Sequence, residues 1–170
     1  LSPFSDVSET SDQFTAIKYL NGEELLMGNE DGSFEPQGEL NRAEWAAILT
    51  RLAGADPSAE DYNNCFPDVK EEWFARHVCL AKAQGWVNGY GTGLYEPGSP
   101  VQDIEVLVTL AKLTNWNVEE SEVWYEPALT YALAHNIYDE SAPIREIKRG
   151  NTADVIFRML ATVSLGNDSY

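Results

Sequence analysis

Apolar residues fall at helical spacing in short stretches of the chain. Trp73, Val78, Leu80 and Ala81 make one apolar face that stops at Gly85, and Trp45, Ile48, Leu49 and Leu52 make another within 43–52. Both patterns predict short amphipathic helices, because a strand would alternate with period two. Between such helices, 89–98 is dense in Gly, with a Pro near its end. Residues that permit positive φ or break a helix make this stretch a loop.

The helix, loop, helix unit recurs, and a fixed period of this kind decides the fold before any single element does. Phe4-Ser5-Asp6-Val7 returns as Phe66-Pro67-Asp68-Val69, 62 positions on. An offset of 61 then relates Gly28 to Gly89, Gly32 to Gly93, Phe34 to Tyr95, Glu35-Pro36 to Glu96-Pro97 and Glu44 to Glu105. In a third, shorter copy, Trp73-Phe74 returns as Trp124-Tyr125 at offset 51, and Val101 and Lys112 return as Ile147 and Arg158 at offset 46. The five missing residues come out of the Gly/Pro loop. The copies are expected at 1–54, 65–114 and 121–163. Six helices leave little chain for strands, and the linkers are too short for independent units, so a single compact module is expected.

Composition narrows the function. With 170 residues, 44% of them hydrophobic, and with five Trp, eight Tyr and six Phe, the chain can fill a core and is not intrinsically disordered. Eleven Lys and Arg against 28 Asp and Glu give a net charge of -17, which excludes nucleic acid as a partner, since phosphate binding needs clustered cations. No run approaches the roughly eighteen apolar residues of a membrane span, so no membrane insertion is expected. The first residue is Leu1 rather than Met, which fits a processed secretory protein as well as a trimmed one.

The helix starts carry the candidate chemistry. Asn41 is a favoured N-cap and Glu44, three residues on, completes a capping box. Arg42 is out of place there, because a cation in the first turn opposes the helix dipole. It is read either as a receptor for a carboxylate or phosphate, a guanidinium fork beside free helix N–H groups, or as a surface Arg paired with a nearby acid. In the former reading its removal should cost little stability. Copy three gathers Arg145, Lys148 and Arg149, either a local anion site or compensation for Glu140 and Glu146. Copy two has Asp103 instead, which is expected to weaken that copy's groove. Trp73 and Trp124 are expected in the core, whereas Trp86 and Tyr90 flank the loop of copy two and could stack on a ligand or be buried.

Catalysis finds little support. His77 and His135 lie inside predicted helices, no serine has a nucleophile-elbow context, and Asp31 with Glu44 is a weak pair for glycoside hydrolysis. No enzyme activity and no cofactor are expected. The acidic turn Asn29-Glu30-Asp31-Gly32 lacks the alternating ligands of a calcium loop, and Cys65 and Cys79 have no His or Cys neighbours to complete a zinc shell, so no metal is expected. The two cysteines are either a short-loop disulfide or two buried thiols.

Taken together, Phe4-Ser5-Asp6-Val7, Gly28-Asn29-Glu30-Asp31-Gly32-Ser33-Phe34-Glu35-Pro36 and Leu40-Asn41-Arg42-Ala43-Glu44, with their later copies, resemble three tandem S-layer homology (SLH) domains over essentially the whole chain. The resemblance implies a mainly α fold, with three helix-loop-helix repeats in a pseudo-threefold assembly around a central three-helix bundle. It implies a non-covalent wall anchor on the bacterial cell surface. Inter-repeat grooves would bind an anionic, pyruvylated secondary cell-wall polysaccharide or a peptidoglycan-linked glycan. The alternative is a structural S-layer subunit acting through contacts with neighbouring proteins. Arg42 and Arg149 match the family's motif Arg, Asp103 departs from it, and Asn151 departs from the motif Glu that Glu44 and Glu105 retain. Gly28 and Gly89 match the groove glycine, followed by Asn29 and Tyr90. The expected glycan-binding set is Arg42, Arg149, Gly28, Asn29, Asp31, Glu44, Gly89, Tyr90, Trp86 and Lys148, in one or two competent grooves. The exported location that the resemblance implies favours a Cys65–Cys79 disulfide.

Overall fold

The computed structural model describes residues 1–139 and 145–167. Residues 140–144, where the third copy's loop and Glu140 were placed by sequence, lie outside them. Six helices follow one another: α1 (Phe14–Gly22), α2 (Arg42–Leu52), α3 (Ala75–Ala83), α4 (Asp103–Thr114), α5 (Glu126–Ala134) and α6 (Arg149–Asn167). The fold is mainly helical, and the β contribution among the described residues is a set of isolated bridges.

The local sequence explains the helix ends. At α2 the Asn41 side chain accepts from the Glu44 N–H at 2.9 Å while the Glu44 carboxylate accepts from the Asn41 N–H at 2.9 Å, the predicted capping box. At α4, Glu105 likewise accepts from the Gln102 N–H at 2.9 Å. The first helix of each copy closes on a residue with positive φ: Glu24 at 57°, Gly85 at 76° and Asn136 at 54°. Only one of these equivalent positions is a glycine, which is why the stop was legible in copy two alone.

The repeated Phe-x-Asp-Val motif holds the loops. The Asp6 carboxylate accepts from the N–H groups of Phe34 and Glu35 at 2.8 and 2.7 Å, and the Asp68 carboxylate from those of Tyr95 and Glu96 at 2.9 and 2.7 Å. Two fixed N–H bonds steady the strained turn at Glu35 and Glu96, both at φ 57°. The motif aromatics pack inside the same loops, Phe4 on Phe34 with ring centres 5.2 Å apart and Phe66 on Tyr95 at 5.3 Å. A Cβ on Gly28 would lie 2.1 Å from the Phe4 ring, and one on Gly89 would lie 2.8 Å from Phe66. Those glycines are required by close packing.

Packing runs between copies. α3 lies against α2, α5 against α4, and α1 against α6, and α2 also touches α4, where the Trp45 indole N–H donates to the Thr109 hydroxyl at 2.8 Å. The segments leading into α2, α4 and α6 are laced in cyclic order: the N–H of Arg42 donates to Ser99 O, that of Asp103 to Arg145 O, and that of Arg149 to Gly38 O, each at 3.0 Å. Copy one thus leans on copy two, two on three, and three on one. The expected central bundle of all three second helices rests on the resemblance, since the contact shown is that of α2 with α4.

Two expectations change. Trp73 and Trp124 are not core: they are 66% and 60% exposed, because each sits in the turn before the helix, one residue ahead of the N-cap, and in copy two the following Phe74 packs against the core instead. Cys65 and Cys79 are joined, their Cα atoms 5.5 Å apart, which ties the entry to copy two onto α3.

Candidate functional site

Arg42 projects from the first turn of α2 into the loop of the following copy. Its Nε donates to Tyr95 O at 2.8 Å and its Nη2 to Asn88 O at 3.0 Å, while Nη1 pairs with the Glu105 carboxylate. The guanidinium lies between the rings of Tyr90 and Tyr95, 4.4 and 4.5 Å from their centres. The residue is only 7% exposed. Burial pushes the Tyr90 hydroxyl above its ordinary range, against the opposing pull of Arg42, so it stays a neutral donor. The Arg42 side chain forms the floor of a cavity of about 230 Å³ walled by Trp86, Gly89, Tyr90 and Trp124, with Lys112 among its lining residues.

Arg149, in the first turn of α6, repeats this tether on the loop of copy one. Its Nε donates to Phe34 O at 2.9 Å and its Nη2 to Met27 O at 2.8 Å, with the guanidinium 4.9 Å from the Phe34 ring centre. Met27 and Phe34 stand 61 positions before Asn88 and Tyr95, so both arginines hold equivalent carbonyls. The difference lies in the third nitrogen. Among the described residues Arg149 has no carboxylate partner, and the side chain is half-buried rather than enclosed, so one edge of its fork faces outward.

The third equivalent position holds Asp103, fully buried. It accepts from the Tyr138 hydroxyl at 2.6 Å, and its Oδ2 lies 3.8 Å from the Arg145 Nε. Burial and this bond to Asp103 push the Tyr138 hydroxyl far up. Asp103 therefore faces copy three, whereas the loop of copy two is served by Arg42. The expectation that Asp103 weakens copy two's groove is corrected accordingly: the place it fills is the one between copies two and three.

The other sequence candidates divide in the same way. Trp86, Gly89 and Tyr90 come together on Arg42, and Gly28 adjoins the carbonyl of Met27 that holds Arg149. Asn29 and Asp31 are turned into their own loop, Asn29 donating to the Ser33 hydroxyl at 3.0 Å and Asp31 accepting from the Ser33 N–H at 2.9 Å. The Ser33 hydroxyl and N–H, both donating to it, hold the exposed Asp31 carboxyl below its ordinary value. Glu44 is used in its capping box. The basic cluster of copy three is dispersed, because Arg145 turns to Asp103, Lys148 lies 3.9 Å from Glu39, and Arg149 enters the loop of copy one. Sequence reading missed Tyr95, Glu105, Lys112 and Trp124 as groove residues. The offsets flag them as repeated positions, but only the pairing of neighbouring copies brings them together.

Among the described residues no group of His, Cys, Asp and Glu could hold a metal ion, and no helix is long and apolar enough to cross a membrane. His77 lies in the α2–α3 seam, its Nδ1 2.7 Å from the Thr50 hydroxyl, and burial lowers its pKa. His135 stacks on Tyr131 at 3.9 Å between ring centres. Neither lines the Arg42 cavity.

The S-layer homology domain model matches residues 3–46 and 66–101. The chain is 26% identical over 155 residues to an endoglucanase of Bacillus sp. strain KSM-635, covering 88% of this chain and 16% of that protein. It is 28% identical over 109 residues to an S-layer protein, sap, of Bacillus anthracis, covering 64% of this chain and 13% of that protein. With a cellulosome-anchoring protein of Acetivibrio thermocellus it shares 25% identity over 105 residues, 60% of this chain and 24% of that protein. The chain thus spans a small part of each relative. With 3–46 and 66–101 matched by that model and an arginine docked twice on equivalent loop carbonyls, the chain carries S-layer homology domains in its first two copies.

Proposed function

We propose that the chain anchors its parent protein to the bacterial cell wall by binding an anionic envelope glycan, a pyruvylated secondary cell-wall polysaccharide, in the two grooves where a motif Arg of one copy meets the loop of another. The cell surface is the family's place, and the cellulosome-anchoring and S-layer relatives support anchoring as the general role. One observation supports the grooves most directly. Arg42 and Arg149 are held identically on loop carbonyls, and the Arg42 groove opens to solvent beside exposed aromatic faces. Aromatic faces suit the apolar side of a sugar ring, and the free edge of Arg149 suits a carboxylate by a paired, charge-assisted bond. In the Arg42 groove Glu105 already occupies one edge of the fork, so Lys112 is the cation left for a ligand carboxylate.

Calorimetry with purified pyruvylated wall polysaccharide tests this. Arg149→Ala should weaken binding about tenfold or more, the worth of one charge-assisted bond, and polysaccharide stripped of pyruvate should bind the native chain no better than it binds the variant. Equal affinity for native and pyruvate-free polymer would refute the anionic reading. Self-association of the chain without any glycan binding would favour the structural-subunit alternative.

A further inference from the structure

Copies one and two fasten their motif segments in different ways. In copy one the Ser5 N–H donates to Gly32 O at 3.0 Å and the Ser5 hydroxyl to the same oxygen at 3.4 Å, which clips Phe4-Ser5-Asp6-Val7 to the tip of its own loop. The equivalent of Ser5, 62 residues on, is Pro67. Proline has no N–H to donate, and among the described residues no other backbone N–H donates to Gly93 O, the counterpart of Gly32 O. Copy two has a covalent clip instead. Cys65, next to Phe66, is bonded to Cys79 of α3, whereas copy one has Pro3 and Lys18 at the equivalent positions.

This covalent clip lies two contacts from Arg42. Phe66 stacks on Tyr95 with ring centres 5.3 Å apart. Tyr95 in turn flanks the Arg42 guanidinium, and its hydroxyl donates to Arg42 O at 3.0 Å. Asp68, three residues after Cys65, holds the N–H groups of Tyr95 and Glu96. Besides the disulfide, Cys65 is held by an exposed contact with Lys82, whose Nζ donates to Cys65 O and sits 4.0 Å from the Phe66 ring centre. No residue of the preceding linker, 54–64, is buried, so nothing upstream anchors the segment in the core.

We propose that the Cys65–Cys79 disulfide is a redox control acting on the Arg42 groove alone. A dithiol reductant supplies the electrons. One of its thiolates attacks the sulfur of Cys65, the more accessible of the pair; the S–S bond breaks, and Cys79, only 4% exposed, leaves as a thiolate that takes up a proton. The second thiol of the reductant then closes the reductant's own disulfide and releases Cys65, so the pair gains two electrons and two protons and becomes two thiols. Residues 65–69 lose their fixed attachment to α3, Phe66 and Asp68 loosen on the loop, and the Tyr95 wall beside Arg42 is freed. The Arg149 groove keeps its form, because its loop is clipped through Ser5. Loss of binding at the Arg42 groove rests on the glycan reading above, whereas the loosening of the loop does not.

Hydrogen exchange of the whole chain, followed by NMR with and without dithiothreitol, reads the loosening. The amides of Tyr95 and Glu96 should exchange about tenfold faster or more after reduction, while those of Phe34 and Glu35 stay unchanged. Pro67→Ser gives copy two the N–H and hydroxyl that copy one uses, so in the reduced variant the Tyr95 and Glu96 amides should exchange more slowly than in the reduced native chain. Unchanged exchange at Tyr95 and Glu96 on complete reduction overturns the proposal. Equal acceleration in both loops overturns it too, because the bond would then hold the whole fold rather than one groove, and a Pro67→Ser variant with no slowing refutes the clip. Calorimetry with a short pyruvylated saccharide reads the consequence, two sites per oxidised chain and one per reduced chain. Two sites in both states overturn the control of binding. If the oxidised chain binds no saccharide, the glycan reading falls, and the exchange contrast alone decides whether the disulfide governs the loop.

Discussion

Arg42 and Arg149 carry the same motif and the same backbone tethers, yet they differ in what they leave free. Arg42 saturates two loop carbonyls and pairs with Glu105, with side chains only 8% and 14% exposed. Removing it strands an acid and two carbonyls, so Arg42→Ala should cost about 3 kcal/mol, the lower range for breaking a buried pair, and lower the melting temperature by roughly 6 to 12 °C. The expectation that this arginine costs little stability is therefore reversed: its position opposes the helix dipole because the side chain reaches away from its own helix into a neighbour's loop. Arg149→Ala loses two exposed or half-buried bonds and should cost about 1 kcal/mol. Differential scanning calorimetry of the two variants separates them, and equal losses would contradict the assignment. Sequence spacing made both arginines legible. Which loop each one faces was not legible, because an internal period says which positions are alike and says nothing about which copies pair.

At the scale of elements, loops and helices are joined by carboxylates with depressed pKa values. Burial works to raise Asp6 and Asp68, but two backbone N–H bonds apiece outweigh it, and both lie below the ordinary value of 3.8. A carboxyl lowered on folding stabilises the protein at pH above its unfolded value and loses that contribution as pH falls through the folded one. Melting temperature should thus be insensitive to these groups between pH 7 and 5 and should fall below about pH 4. Asp6→Asn with Asp68→Asn should lower it at pH 7 and shallow the acid limb, and an unchanged limb would count against the clamp. The Cys65–Cys79 bond closes a separation of 14 residues, for which the chain-entropy estimate is about 3 kcal/mol. Reduction should lower the melting temperature measurably, and the same midpoint with and without reductant would show the bond to be without effect. The helices were readable from apolar spacing and the capping box, but Trp73 and Trp124 misled. Their side chains stand one residue outside the helical period, in a turn where an aromatic can point to solvent.

Across the whole molecule, the copies are alike in construction but differ in what fills the place of the first-turn arginine. The cyclic lacing of Arg42, Asp103 and Arg149 onto the next copy gives three equivalent seats, of which one is filled from within by Asp103, Tyr138 and Arg145. The sequence announced the odd copy through Asp103 and the five lost loop residues, and the structure moves its effect to the seat between copies two and three. A short carboxylated ligand should therefore saturate at two molecules per chain, at Arg42 and Arg149, and a stoichiometry of three would show the Asp103 seat to be open. The most direct measurement is sedimentation of the chain with purified wall sacculi, before and after their polysaccharide is stripped. The native chain should pellet with intact sacculi and stay in solution with stripped ones, and a correctly folded Trp124→Ala, Arg149→Ala variant should stay in solution with both. Equal pelleting of native chain and variant, or pelleting that persists after stripping, would contradict the account.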